Sequence, residues 1–157
     1  MNRTILIIIG LLCAVITTAG IMCDHPFYVT RQQLHDKDPN VRAMAIHKLG
    51  DLNDQKSIPD AIKLLLDDSG FVRMHALYAL DVLNVRESIQ AIIKLLQDKD
   101  PMVRWYAIKV LGTLGAQDAI PQITEILNNQ NLTWFHEEAE IALRKLGVPE
   151  VEIEQAR

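Results

Sequence analysis

The chain has 157 residues, of which 49% are hydrophobic, 23% charged and 5% aromatic, and its formal charge is −4. That length holds one domain, or a short repeat array behind a targeting segment, and the apolar fraction is that of a chain able to fold. The negative charge, with no run of Lys or Arg, excludes a general nucleic-acid binder, which needs a basic surface to displace phosphate counterions.

The first element in chain order is an uncharged stretch from Thr4 to Met22, with Arg3 before it and Asp24 after it. A spanning helix needs about 20 apolar residues, and the apolar part of a signal peptide has roughly 7 to 15. The stretch is therefore expected to be an N-terminal apolar helix, transmembrane or signal, with the leading positive charge inside and the rest of the chain outside. Three fates stay open: a retained signal anchor, cleavage after Ala19 or Gly20, and lipidation at Cys23, where Met22 replaces the small residue normally wanted before the cysteine. The division expected is 1–23 as signal anchor or signal peptide, 24–148 as a helical domain, and 149–157 as an acidic tail. The domain is expected outside the cytoplasm, membrane-anchored or exported. Cys13 and Cys23 are the only cysteines, so 24–157 has neither a disulfide framework nor a thiolate metal site.

Beyond the apolar stretch the chain repeats itself. Asp36-Lys-Asp-Pro-Asn-Val-Arg42 opens one copy, Asp67-Asp-Ser-Gly-Phe-Val-Arg73 a second, and Asp98-Lys-Asp-Pro-Met-Val-Arg104 a third, a period of 31 residues. Each copy predicts a helix. Asp38, Ser69 and Asp100 stand where a side-chain oxygen would cap the first turn, and Pro39 and Pro101 occupy the first helical position. Val41, Ala45, Leu49 and Leu52 form one apolar face, repeated in later copies, and Gly50 and Gly112 lie late in the helix. Shorter apolar helices run between copies, from Ile58, Ile89 and Ile120. A weaker fourth copy begins near Trp134 with one inserted residue. The unit is a helical hairpin that cannot bury its apolar face alone, so stability is a sum over stacked neighbours.

The pattern D-x-D-P-x-V-R-x-x-A-(I/L)-x-x-L-G-x-L resembles the HEAT repeat, in the short bacterial form named after phycobilisome lyases, from about Phe27 to Gly147. The resemblance implies an all-α solenoid of about 3.5 HEAT-like hairpins. It also implies that the long helix lines the concave side. Asp38, Arg42, Asp67, Arg73, Asp100 and Arg104 are the structural residues of the repeat motif, and Arg42, Arg73 and Arg104, which flank the apolar face, are expected to bond to Asp or carbonyl groups at the junctions between units.

On a helical wheel the face opposite the apolar stripe carries Asn40, Ala43 and His47, then Phe71, Met74 and Tyr78, then Met102, Trp105 and Lys109, then Trp134, Glu137 and Ile141. Large apolar side chains on a solvated face mark interaction surfaces. Phe71, Met74, Tyr78, Met102, Trp105 and Trp134 are therefore the expected contacts to a protein partner. No catalytic, cofactor or metal residue is assigned: His25, His35, His47, His75 and His136 fall at non-equivalent places, with none paired at the i, i+4 spacing of a helical metal site. The chain thus reads as a scaffold or adaptor rather than an enzyme, with no cofactor. Its expected partners are a protein of unknown identity and a membrane, with a homodimer through a stack end as an open alternative. The rival is an enzyme or enzyme subunit of metal-dependent oxidoreductase or lyase type. His136-Glu137 resembles the His-Glu step of deoxyhypusine hydroxylase, although the other copies carry no such step at that place.

Overall fold

The computed structural model describes residues 30–156. The expected N-terminal apolar helix, with its anchoring, cleavage or lipidation, lies outside the described residues. Among the described residues no helix is long and apolar enough to cross a membrane.

Among the described residues four longer helices are α1 (Pro39–Asp51), α3 (Gly70–Val82), α5 (Pro101–Thr113) and α7 (His136–Lys145). They alternate with the shorter α2 (Ile58–Leu64), α4 (Ile89–Lys94) and α6 (Ile120–Asn128), and α8 (Glu150–Gln155) closes the chain. No described residue is in a strand. Each longer helix packs on the next longer one, and each shorter helix packs on the longer helix that follows it. The result is a two-layer stack, all-α as the repeat requires.

Local chemistry repeats with the sequence. Asp38 accepts the Asn40 amide at 2.8 Å and Asp100 the Met102 amide at 2.9 Å, so two of the three expected caps form. Ser69 does not cap α3. There the turn is held by Asp67, whose carboxylate accepts the Ser69 amide at 2.9 Å. Asp36 and Asp98 do the same for Asp38 and Asp100. The longer helices end on a residue in the left-handed region: Asn53 (φ 54°), Asn84 (φ 53°), Gly115 (φ 69°) and Gly147 (φ 81°). The next amide then returns to a carbonyl five residues back, as in Asp54 to Leu49 at 2.9 Å and Ala116 to Leu111 at 3.0 Å. This satisfies the carbonyls that a helix end leaves open.

Gly50 and Gly112 lie inside the last turn, before these terminators. They are points of close approach: a Cβ on Gly50 would lie 3.0 Å from the Ala79 Cα, and one on Gly112 would lie 2.9 Å from the Ala142 Cα. A side chain at either place would push two longer helices apart. At the intervening junction the equivalent residue is Asp81, which is half-buried.

The apolar face is buried where a neighbour covers it. Val72, Ala76 and Leu80 of α3 and Leu83 just after it are buried, as are Val103, Ala107 and Leu111 of α5 and Leu114 just after it. In α1, Ala45 and Leu49 are buried but Val41 is half-exposed, and Leu52 just after the helix is 45% exposed. The reason is position: α1 is the end longer helix of the described stack. At the other end, the residues expected as an acidic tail form α8, whose Ile153 is buried against the core. Arg144 bonds to Glu150 at 2.7 and 2.9 Å, which helps to hold α8 in place and keeps that guanidinium protonated.

The repeated Asp and Arg form a ladder across the junctions. Arg42 makes two bonds of 2.8 Å to the Asp67 carboxylate, and also reaches the Asp36 carbonyl at 2.8 Å. Arg73 bonds to Asp98 at 2.8 and 2.6 Å and to the Asp67 carbonyl at 2.7 Å. Burial opposes ionisation of Asp67, but the Arg42 bond, the Ser69 amide and the two arginine charges outweigh it and hold the carboxyl below its ordinary value. Arg104 departs from the pattern. It keeps the carbonyl bond, to Asp98 at 2.7 Å, and its guanidinium lies 4.9 Å from the Phe135 ring centroid, where Asn129 stands in place of the next aspartate.

Candidate functional site

The outer surface of the longer-helix layer gathers the chemistry that the sequence singles out. Phe71, Met102 and Trp134 hold equivalent positions at the starts of α3 and α5 and just before α7, and are 43%, 47% and 57% exposed. Met74 and Trp105 are different: both are half-buried and packed against the core. Ala43, at the matching place in α1, is fully buried. A helical wheel treats that position as solvent-facing, whereas the adjoining longer helix covers it. Met44, which the wheel reading omits, is 62% exposed and belongs to the surface.

Tyr78 is half-buried and holds a network across the α1–α3 junction. Its hydroxyl donates to Asp51 at 2.5 Å, and its ring stacks on His47 with centroids 4.2 Å apart. His47 Nδ1 lies 3.1 Å from His75 Nδ1, and its Nε2 is 3.5 Å from Asp51. Phe71 meets the His75 ring edge-on at 4.5 Å. Burial and the neighbouring His47 push the His75 pKa down, and the Asp51 bond pushes the Tyr78 hydroxyl up. The two histidines are 28 positions apart, one period less one helical turn, so spacing within a single helix does not reveal them. Their meeting follows from stacking α1 on α3.

A second polar seam lies between α3, α5 and α7. Burial raises the Asp81 pKa against the opposing pull of Lys109, Thr113 and Lys145, and burial raises Glu138 and Tyr106 too. Lys109 Nζ sits 5.2 Å from the Tyr106 centroid and 5.9 Å from that of Trp105. Beside it Met102, Trp105, Thr133, Trp134 and Glu137 line an open groove of about 540 Å³. His136, proposed by the rival reading as a ligand, has its Nε2 3.1 Å from the Asn129 carbonyl. Among the described residues no group of three or more His, Cys, Asp or Glu is placed to hold a metal ion.

A family model for HEAT repeats matches residues 29–84 and 72–144. The chain belongs to the HEAT-repeat family. No curated protein matches it. Among solved structures, one similar to this HEAT chain is the complex of CpcE and CpcF of phycocyanin lyase from Nostoc sp. PCC7120. It aligns with a TM-score of 0.72 at 21% identity, over 82% of this chain and 56% of that chain. At that identity the likeness is one of fold, and this chain spans little more than half the neighbour's length. The neighbour nevertheless corrects one expectation. The chain reads as no enzyme because its repeats show no catalytic motif, yet this scaffold occurs within a lyase, an enzyme-type complex of two proteins.

Proposed function

We propose that this HEAT chain is a protein-binding subunit that holds its partner on the concave, longer-helix layer, within an assembly of lyase type like the complex formed by its solved neighbour. The observation that carries the reading is the row of exposed Met44, Phe71, Met102 and Trp134 on one helical layer. Solvated aromatic and Met side chains at successive repeats are costly without a partner and are enriched in interface cores. The uncharged Thr4–Met22 stretch would hold this layer at a membrane or direct its export, leaving the repeats outside the cytoplasm.

The test is crosslinked capture from native membranes by the full-length chain, beside a Phe71→Ser/Trp134→Ser double variant. Loss of a partner from the variant, with an unchanged circular dichroism spectrum, supports the reading. An unchanged partner set sinks it. Accessibility of the repeats to added protease in intact cells tests their location separately.

The lyase side of the reading has its own structural support in the Asp51–His47–His75–Tyr78 network. It places a neutral-leaning imidazole beside an exposed aromatic surface, where a group bound there would meet a proton acceptor. His75→Gln and Tyr78→Phe should then lower turnover by an isolated assembly without changing its composition. Unchanged turnover in both variants would remove the network from the chemistry.

A further inference from the structure

The groove at the α5–α7 end of the layer has a chemistry more specific than an apolar patch. Trp105 and Trp134 line it together with Met102 and Thr133, and the Glu137 carboxylate stands among them. Glu137 is exposed and, among the described residues, makes no side-chain hydrogen bond or ion pair. Trp134 is held edge-on against Phe135, with centroids 5.0 Å apart, so its indole is positioned rather than loose. Lys109 shows what such a ring attracts: its ammonium lies 5.9 Å from Trp105 while also engaging Tyr106. That lysine leaves Trp134 and Glu137 without a cation from the described part of the chain.

We propose that this groove is a subsite for an Arg or Lys side chain from a basic segment of the protein partner. The methylene stem would lie on Met102 and the indoles, and the cation would sit between the Trp134 face and the Glu137 carboxylate. Two attractions act together there: a cation over an indole face, and a charge-assisted bond to a carboxylate. The net charge of −4 favours approach of a basic segment. The inference rests on the longer-helix layer being the partner-binding face, and adds to it the charge of the segment bound.

Trp105 and Trp134 are the only two tryptophans of the chain, so intrinsic fluorescence reports on this groove alone. The full-length chain is titrated with the peptide acetyl-Gly-Gly-Arg-Gly-Gly-amide, with its Lys counterpart, and with a citrulline counterpart that keeps the shape and lacks the charge. The expected result is a saturable change with Arg and Lys, weaker in higher salt, and absent with citrulline. Glu137→Gln should weaken binding about tenfold and flatten the salt dependence, from the loss of one charge-assisted contact. Trp134→Ala, at an exposed position, should weaken it by a similar factor. No saturable change with the Arg peptide, or an equal change with citrulline, overturns the inference. In the membrane capture, loss of partner in Phe71→Ser/Trp134→Ser but full retention in Glu137→Gln would keep the face and discard the cation subsite. Retention in both would discard the face as well.

Discussion

Removing the Asp98 carboxylate tests how the junctions are held. Arg73 and Asp98 are 5% and 7% exposed at their side chains, the most enclosed ion pair of the ladder. Asp98→Ala deletes the bonds of 2.8 and 2.6 Å to Arg73 and the acceptor of the Asp100 amide at 2.8 Å, while the guanidinium stays between units two and three. An uncompensated buried charge costs about 3–5 kcal/mol, a large share of the ~5–15 kcal/mol of a typical domain. With a urea slope of about 1.5 kcal/mol per molar, the unfolding midpoint should fall by about 2–3 M. Because a repeat array is coupled only through neighbours, the transition should also broaden as the two halves separate. Replacing both partners, Arg73→Met with Asp98→Leu, removes the stranded charge and should restore part of the lost stability, the remaining deficit coming from the Asp67 carbonyl and the Asp100 amide that lose their partners. A loss below about 1 kcal/mol in Asp98→Ala would refute the reasoning. So would a double variant no more stable than the single one.

Further outcomes follow from the same contacts. Gly112→Ala places a Cβ 2.9 Å from the Ala142 Cα and should destabilise by about 1–2 kcal/mol in urea, overpacking outweighing the better helix propensity of Ala. Asn84→Gly, at φ 53°, should stabilise by about 0.5–1 kcal/mol, because Gly occupies the left-handed region without a Cβ clash. His75 has its folded-state pKa lowered by burial and by His47, so the unfolded chain binds the proton more readily. Its contribution to stability is present above the ordinary value near 6.5 and is lost as pH falls below it. His75→Gln should flatten the dependence of the unfolding midpoint between pH 7 and 5, and an unaltered slope would count against the pairing. Asp67, held low mainly by Arg42 against its burial, should make the first junction sensitive below about pH 4, since its contribution is lost as the carboxylate protonates.

The period of 31 residues, the Asp-Pro helix starts and the apolar face of each copy are local properties of the chain. They specify stacked helical hairpins because a short hairpin has no other way to bury its leucines. The αL terminators were equally present, as Asn53, Asn84, Gly115 and Gly147 at one place in successive copies, and mark where each longer helix stops. What a single helix cannot express is its neighbour. Gly50 and Gly112 lie late in their helices for no reason that one copy shows, until Ala79 and Ala142 are brought against them. Met74 and Trp105 look solvent-facing until the adjoining helix covers them, while Met44, absent from that stripe, stays open. His47 and His75 share no motif, and Glu137 joins two tryptophans from different copies only once the repeats are stacked. Periodicity along the chain determined the scaffold. The surface was decided by the lateral packing of one helix on the next, which no repeat contains within itself.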